Sequence, residues 1–135
     1  MPFLDEVAAR LVGQGVGTLG TNIFASSKAV IPVGNGPYLT LIETGGSGSA
    51  KTQNDTATER PTAQLSCRAS TVSAARTMLK AAYDALGGAN GLYNATLSGT
   101  MYLSITARQN ITDIGLDSAG RAFLTFNIDA EKAPS

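Results

Sequence analysis

The stretch Gly45-Gly46-Ser47-Gly48-Ser49-Ala50-Lys51-Thr52 is one glycine short of a phosphate-binding loop. Such a loop takes the chain from a strand into a helix. The helix begins at the Lys-Thr pair, and its free N–H groups cradle phosphate. An apolar run, Pro37 to Ile42, supplies the strand. The helix is missing: Gln53-Asn54-Asp55-Thr56-Ala57-Thr58-Glu59-Arg60-Pro61 has no apolar stripe and runs into a proline. Ala50 also stands where a second glycine would let the backbone approach the phosphates, and no later apolar run ends in an Asp for magnesium. The sequence argues against a P-loop-like nucleotide-binding protein.

Other chemistry-bearing patterns fail for related reasons. Gly15-Val16-Gly17-Thr18-Leu19-Gly20 spells the dinucleotide fingerprint, but it follows a helix and precedes a strand, the reverse of what that motif needs. Gly45-Gly46-Ser47-Gly48-Ser49 falls one residue short of a nucleophile elbow. With no His in the chain, imidazole bases, Ser-His triads and His metal sites are excluded. The single Cys67 sits in an alternating run beside Leu65, as a buried packing thiol would. Asp113 and Asp117 offer too few oxygens for calcium and read as solvated turn residues. Lys80 and Asp84 form an i,i+4 helix pair on the surface. No catalytic, cofactor-binding or metal-ligating residue is expected, and the chain reads as a non-enzyme.

Composition narrows the partners. A chain of 135 residues suits one domain, 1–135, with an ordinary hydrophobic core. Ten Lys/Arg balance ten Asp/Glu and only 15% of residues are charged, so tight binding of nucleic acid or acidic lipid has no electrostatic basis. Aromatics make up 6% and Trp is absent, which removes stacking platforms for single strands. No apolar run approaches the ~18 residues of a membrane span. Asp5 and Glu6 stand where a secretory signal would be basic, so no export is expected, and the Asn-x-Thr triplets at Asn54, Asn94 and Asn110 carry little meaning.

The elements follow from periodicity. Phe3, Leu4, Val7, Ala8, Leu11 and Val12 recur at helical spacing, with Gly13 as the stop. Strands are expected near 21–25, at 38–43, at 62–69, and at about 92–97, 101–108 and 121–129. In 62–69, Ala63, Leu65, Cys67 and Ala69 share a face; in 101–108, Met101, Leu103, Ile105 and Ala107 do. A second helix, capped by Ser70 or Thr71 and ended by Gly87-Gly88, carries Val72, Ala75, Leu79, Ala82, Tyr83 and Leu86 on its apolar side. The expected class is α+β: a mostly antiparallel sheet with two main helices packed on one face.

Between two of the best strands lies the polar segment 44–60, an unusually long connection for a compact domain. It reads as a flexible loop or an extended hairpin arm that orders against a neighbour. Glu43, Lys51, Asp55, Glu59 and Arg60 are its candidate interface residues.

Several stretches are similar to the tail terminator proteins of long-tailed bacteriophages, also called minor capsid or tail completion proteins. They are Phe3 to Leu11, the run "GNGPYLTLIETGG", the strand "ERPTAQLSCRAS", the helix "AARTMLKAAYDAL" and the later "LSGTMYLSITARQNITDIGLDSAGRAFLTFNI". Together they cover nearly the whole chain. The resemblance implies a small α+β domain that assembles as a hexameric ring. Such a ring caps the finished tail tube, stops tube polymerisation and forms the head-tail joining surface. The implied partners are further copies of the chain, the tail tube protein and a head-completion or neck protein. DNA would pass through the lumen without tight binding. The implied location is the neck of the virion, after assembly in the host cytoplasm. A head-completion or stopper protein of the same neck is the alternative.

Overall fold

The computed structural model describes residues 3–25, 36–51, 57–116 and 120–132. Two helices, α1 (Phe3–Gly13) and α2 (Val72–Ala85), accompany seven strands: β1 (Ile23–Ala25), β2 (Tyr38–Lys51), β3 (Ala57–Ala69), β4 (Leu92–Leu97), β5 (Thr100–Ala107), β6 (Thr112–Leu116) and β7 (Ala122–Lys132). One sheet runs β1-β2-β3-β7-β5-β4, and β6 also pairs with β7. β1 lies parallel to β2, and every other pairing is antiparallel. This is the α+β class that the periodicities predict.

Helix ends follow local chemistry. Thr71 caps α2 by accepting the Ala74 N–H at 3.1 Å. Gly15, rather than Gly13, terminates α1. Its φ of 78° lets the Gly15 N–H reach the Val12 carbonyl and the Val16 N–H reach the Leu11 carbonyl, at 3.1 and 3.0 Å. That pair of bonds is a Schellman motif, so the first glycine of the false dinucleotide fingerprint works as a helix stop. Gly87 ends α2 with φ 101°, and a Cβ there would sit 2.3 Å from the Gly91 carbonyl carbon.

Alternation on the sheet gives one apolar face. Leu39 and Leu41 of β2, Ala63, Leu65, Cys67 and Ala69 of β3, and Leu124, Phe126 and Ile128 of β7 are buried against Val7, Leu11, Leu79 and Ala82 of the helices. Tyr83 meets Phe126 edge to face at 5.3 Å between ring centroids. Burial pushes the Cys67 thiol up to about 12, with a backbone hydrogen bond at Tyr38 opposing, so at neutral pH it stays a protonated packing group. Among the described residues, no helix is long and apolar enough to cross a membrane.

Three features depart from the sequence reading. β2 and β3 run well past the expected ends at Glu43 and Thr62, pairing Gly46 with Pro61, Ser47 with Arg60, Ala50 with Thr58 and Lys51 with Ala57. The described parts of the segment, 44–51 and 57–60, are thus paired strands, the extended hairpin of the sequence reading rather than the loop. Register shifts at Glu43/Gly46 and Ser47/Ala50 explain why no strand alternation shows in the sequence. A seventh strand beyond the six expected, β6, occupies part of the stretch read as a turn. The Asp113 carboxylate accepts the Gly115 N–H at 2.8 Å within a bulge, so Asp113 holds a kinked edge strand, while Asp117 lies outside the described residues.

The third departure concerns β5. A register shift between Tyr102 and Ser104 reverses its phase. Tyr102 and Ile105 are fully buried, whereas Met101 and Leu103 are more than 40% exposed. The two strands β4 and β5 form a hairpin, turned by Ser98 (φ 49°) and Gly99 (φ 86°) in the left-handed region that tight hairpins use. This phase makes an unequal prediction. Ile105→Ala should lower unfolding free energy by about 2–5 kcal/mol, and Met101→Ser by no more than about 0.5 kcal/mol. Urea melts of the two variants measure the contrast, and equal losses would contradict the phase.

Candidate functional site

Two polar assemblies stand out, one inside and one outside the sheet. Inside, Glu6 of α1 meets Tyr102 of β5 and Lys132 of β7. The Glu6 Oε1 atom accepts hydrogen bonds from the Tyr102 hydroxyl at 2.8 Å and the Lys132 Nζ at 3.0 Å. None of the three side chains is more than 1% exposed. Glu59, at the root of the arm, lies 4.0 Å from the same ammonium.

Burial alone would raise the Glu6 pKa. Hydrogen bonds with Thr100, Tyr102 and Lys132, together with the Lys132 charge, instead hold it below the ordinary carboxylate value. Burial and the neighbouring carboxylates push the Tyr102 phenol far above its usual range, so it remains a donor. The cluster is closed to solvent, so its chemistry is that of a staple joining the first helix, a middle strand and the last strand. Among the described residues, no three His, Cys, Asp or Glu side chains converge as a metal site.

Outside, the face of the sheet opposite the helices forms a groove of about 640 Å³. Thr44 and Arg60 line it where the arm begins, and Thr62, Gln64 and Asn127 are among its strand residues. Thr44 and Thr62 share a hydroxyl hydrogen bond of 2.7 Å. Arg108 grips Asp129 with two hydrogen bonds, one from Nε at 3.2 Å, on the far wall.

The predicted interface residues spread along the arm and do not share a face. Glu43 is exposed on β2 opposite Ala63, on the helix side of the sheet. Glu59, opposite Lys132, lies on that same side. Arg60 is exposed and lines the groove on the other side. Lys51 pairs with Ala57 at the far end of the described arm, and Asp55 lies outside the described residues. Because Gly45 to Lys51 continue a strand, no helix begins at Lys51, and the geometry of a phosphate loop is not built there.

Sequence reading missed Glu6, Tyr102 and Lys132. A signal was available: Glu6 falls on the stripe with Phe3, and Lys132 continues the even-numbered series Ile128 and Ala130 on the buried face of β7. Both were masked by charge, since Lys and Glu are almost never buried unless paired.

No protein-family model matches the chain, and no curated protein is significantly similar to it. Among solved structures, a chain of a gene transfer agent particle, described as "Virion of native gene transfer agent (GTA) particle", is similar. The superposition has a TM-score of 0.63 at 16% identity, and covers 95% of this chain and 94% of that one. The two share a fold over essentially their whole lengths.

The internal staple makes a stability prediction. Glu6→Gln and Lys132→Met should each cost about 3–5 kcal/mol, because each strands a polar partner in the interior. The double variant Glu6→Leu/Lys132→Met should recover most of that loss. Since the Glu6 pKa is lowered by folding, the unfolded chain takes up more protons there in acid. Its stabilisation is complete above the unfolded value near 4.3 and disappears as pH falls through the native value. Denaturant melts between neutral and acid pH should therefore show wild type losing more stability than Glu6→Gln. Parallel curves would contradict the assignment.

Proposed function

We propose that the chain is a structural subunit of a phage-like particle, a tail terminator. In this reading it forms a closed ring, hexameric by the sequence resemblance, on the head-proximal end of the tail tube. There it stops tube growth and presents the surface that joins the head. The observation that carries the reading is the shared fold, over 95% of this chain, with a chain of a gene transfer agent virion. Balanced charge supports it, since a ring through which DNA passes must not hold DNA tightly. A β2–β3 arm beyond the buried residues Leu41 and Ala63 supports it as well, because such an arm is placed to bridge subunits. In this reading Glu43, Lys51, Asp55, Glu59 and Arg60 act in contacts between proteins, and the chain is not an enzyme.

The arm separates assembly from folding. Replacing residues 48–58 with an Asn-Gly turn should shift the thermal midpoint by no more than a few degrees, because the buried residues Leu39, Leu41, Ala63 and Leu65 all lie outside the segment removed. In particle producers lacking the native chain, the shortened variant should yield overlong or headless tails, seen by electron microscopy. Normal particles would count against the role of the arm, and so would a collapsed melt. Normal tails capped by a different protein, with this chain bound to empty heads, would favour the head-completion reading instead.

A further inference from the structure

The outer groove has properties that a solvated sheet face does not need. Its strand residues Thr62, Gln64, Ser104, Thr106 and Asn127 give it a polar floor, and Thr62 is buried. Their side is concave and polar. The β4–β5 rim is apolar instead: Tyr93, Met101 and Leu103 are each 41–58% exposed. The Tyr93 ring lies beside Gly91, where an added Cβ would come within 3.0 Å of it and 3.1 Å of Thr106. A polar channel with an exposed aromatic on the neighbouring rim is a surface shaped for a slender partner.

We propose that this groove is the acceptor for the β2–β3 arm of a second copy of the chain, an inference that rests on the ring reading above. The arm has the right cross-section: residues 45–58 contain Gly, Ser, Ala, Thr and other polar residues and no large apolar side chain. It also has the right length. From Thr44 to Lys51 a strand spans roughly 23 Å, and crossing from β3 to β4 takes roughly 14 Å at strand spacing. The charges agree in balance. The arm segment 45–58 brings one cation and one anion, Lys51 and Asp55, and the groove brings Arg60 and Arg108 against Asp129 and Glu131. Thr44 and Arg60 belong to both the arm root and the groove lip, so each docked arm leads directly to the next acceptor. Repetition of one such head-to-tail contact closes a ring when the rotation permits.

Cysteine pairing tests this directly on the full chain, since the buried, protonated Cys67 stays silent. Ser49→Cys places a thiol on the arm and Thr106→Cys places one in the groove. Mild oxidation of the double variant, in purified protein and in isolated tails, should give a disulfide ladder ending at the closed ring. A mixture of the two single variants should give the arm-to-groove dimer. Tyr93→Ala/Met101→Ala should raise the concentration needed for assembly by at least about tenfold without changing the monomer melt. Rings that form without the ladder, or an assembly midpoint that does not move, would overturn the acceptor groove and leave the ring reading standing. Arm cysteines that link to the tube protein alone would do the same. Absence of any ring, in solution and in tails, would overturn both.

Discussion

A carboxylate from the first helix and an ammonium from the last strand meet inside this protein, with a tyrosine hydroxyl as the third member. Burying such a pair is costly unless its hydrogen bonds are made, so the elements that carry it are held in one register. Glu6 ties α1 to Tyr102 of β5 and to Lys132 of β7. Tyr102 accounts for the reversed phase of β5, because the register shift after it lets both Tyr102 and Ile105 face inward. Lys132 fixes the end of β7 and, through Glu59, reaches the root of the arm. The apolar packing of Leu11, Leu65, Leu79 and Phe126 supplies the bulk of the core, and the staple selects how its layers align.

That alignment leaves the two faces of the sheet with different work. One face is sealed by α1 and α2. The other is open, polar at its floor and apolar along the β4–β5 rim, while the paired arm of β2 and β3 extends past the buried inner-face residues. The buried ionisable groups Glu6 and Lys132 are closed to solvent, and in the open groove Thr44 bonds to Thr62 and Arg108 to Asp129. The described residues thus combine a paired hairpin with a polar groove at its root.

Much of this could be read from the residues, and the failures have physical causes. The helices announced themselves through the spacing of Val7 with Leu11 and of Ala75, Leu79 and Ala82. The strands with clean alternation, 62–69 and 122–128, were equally plain. For 44–60 the sequence left loop and extended hairpin open, because register shifts and small residues erase alternation, and β6 was hidden by the bulge that Asp113 caps. Met101 and Leu103 were assigned to the wrong face because a bulge cannot be seen in a two-residue period. Glu6 and Lys132 followed the apolar stripes faithfully, but charge counted against burial when each was considered without its partner. Of the surface guesses, Arg60 falls in the groove and Glu59 touches the staple, and nothing in the sequence distinguishes their faces beyond their being adjacent.

In the proposed reading this chain closes a ring at one end of a tube. Cryo-electron microscopy of particles carrying the chain tests it most directly. The account predicts a single closed collar, six-fold in the terminator reading, at the head-proximal end of the tube, with each arm lying across its neighbour. The chain distributed along the whole tube, or confined to the capsid shell, would contradict it.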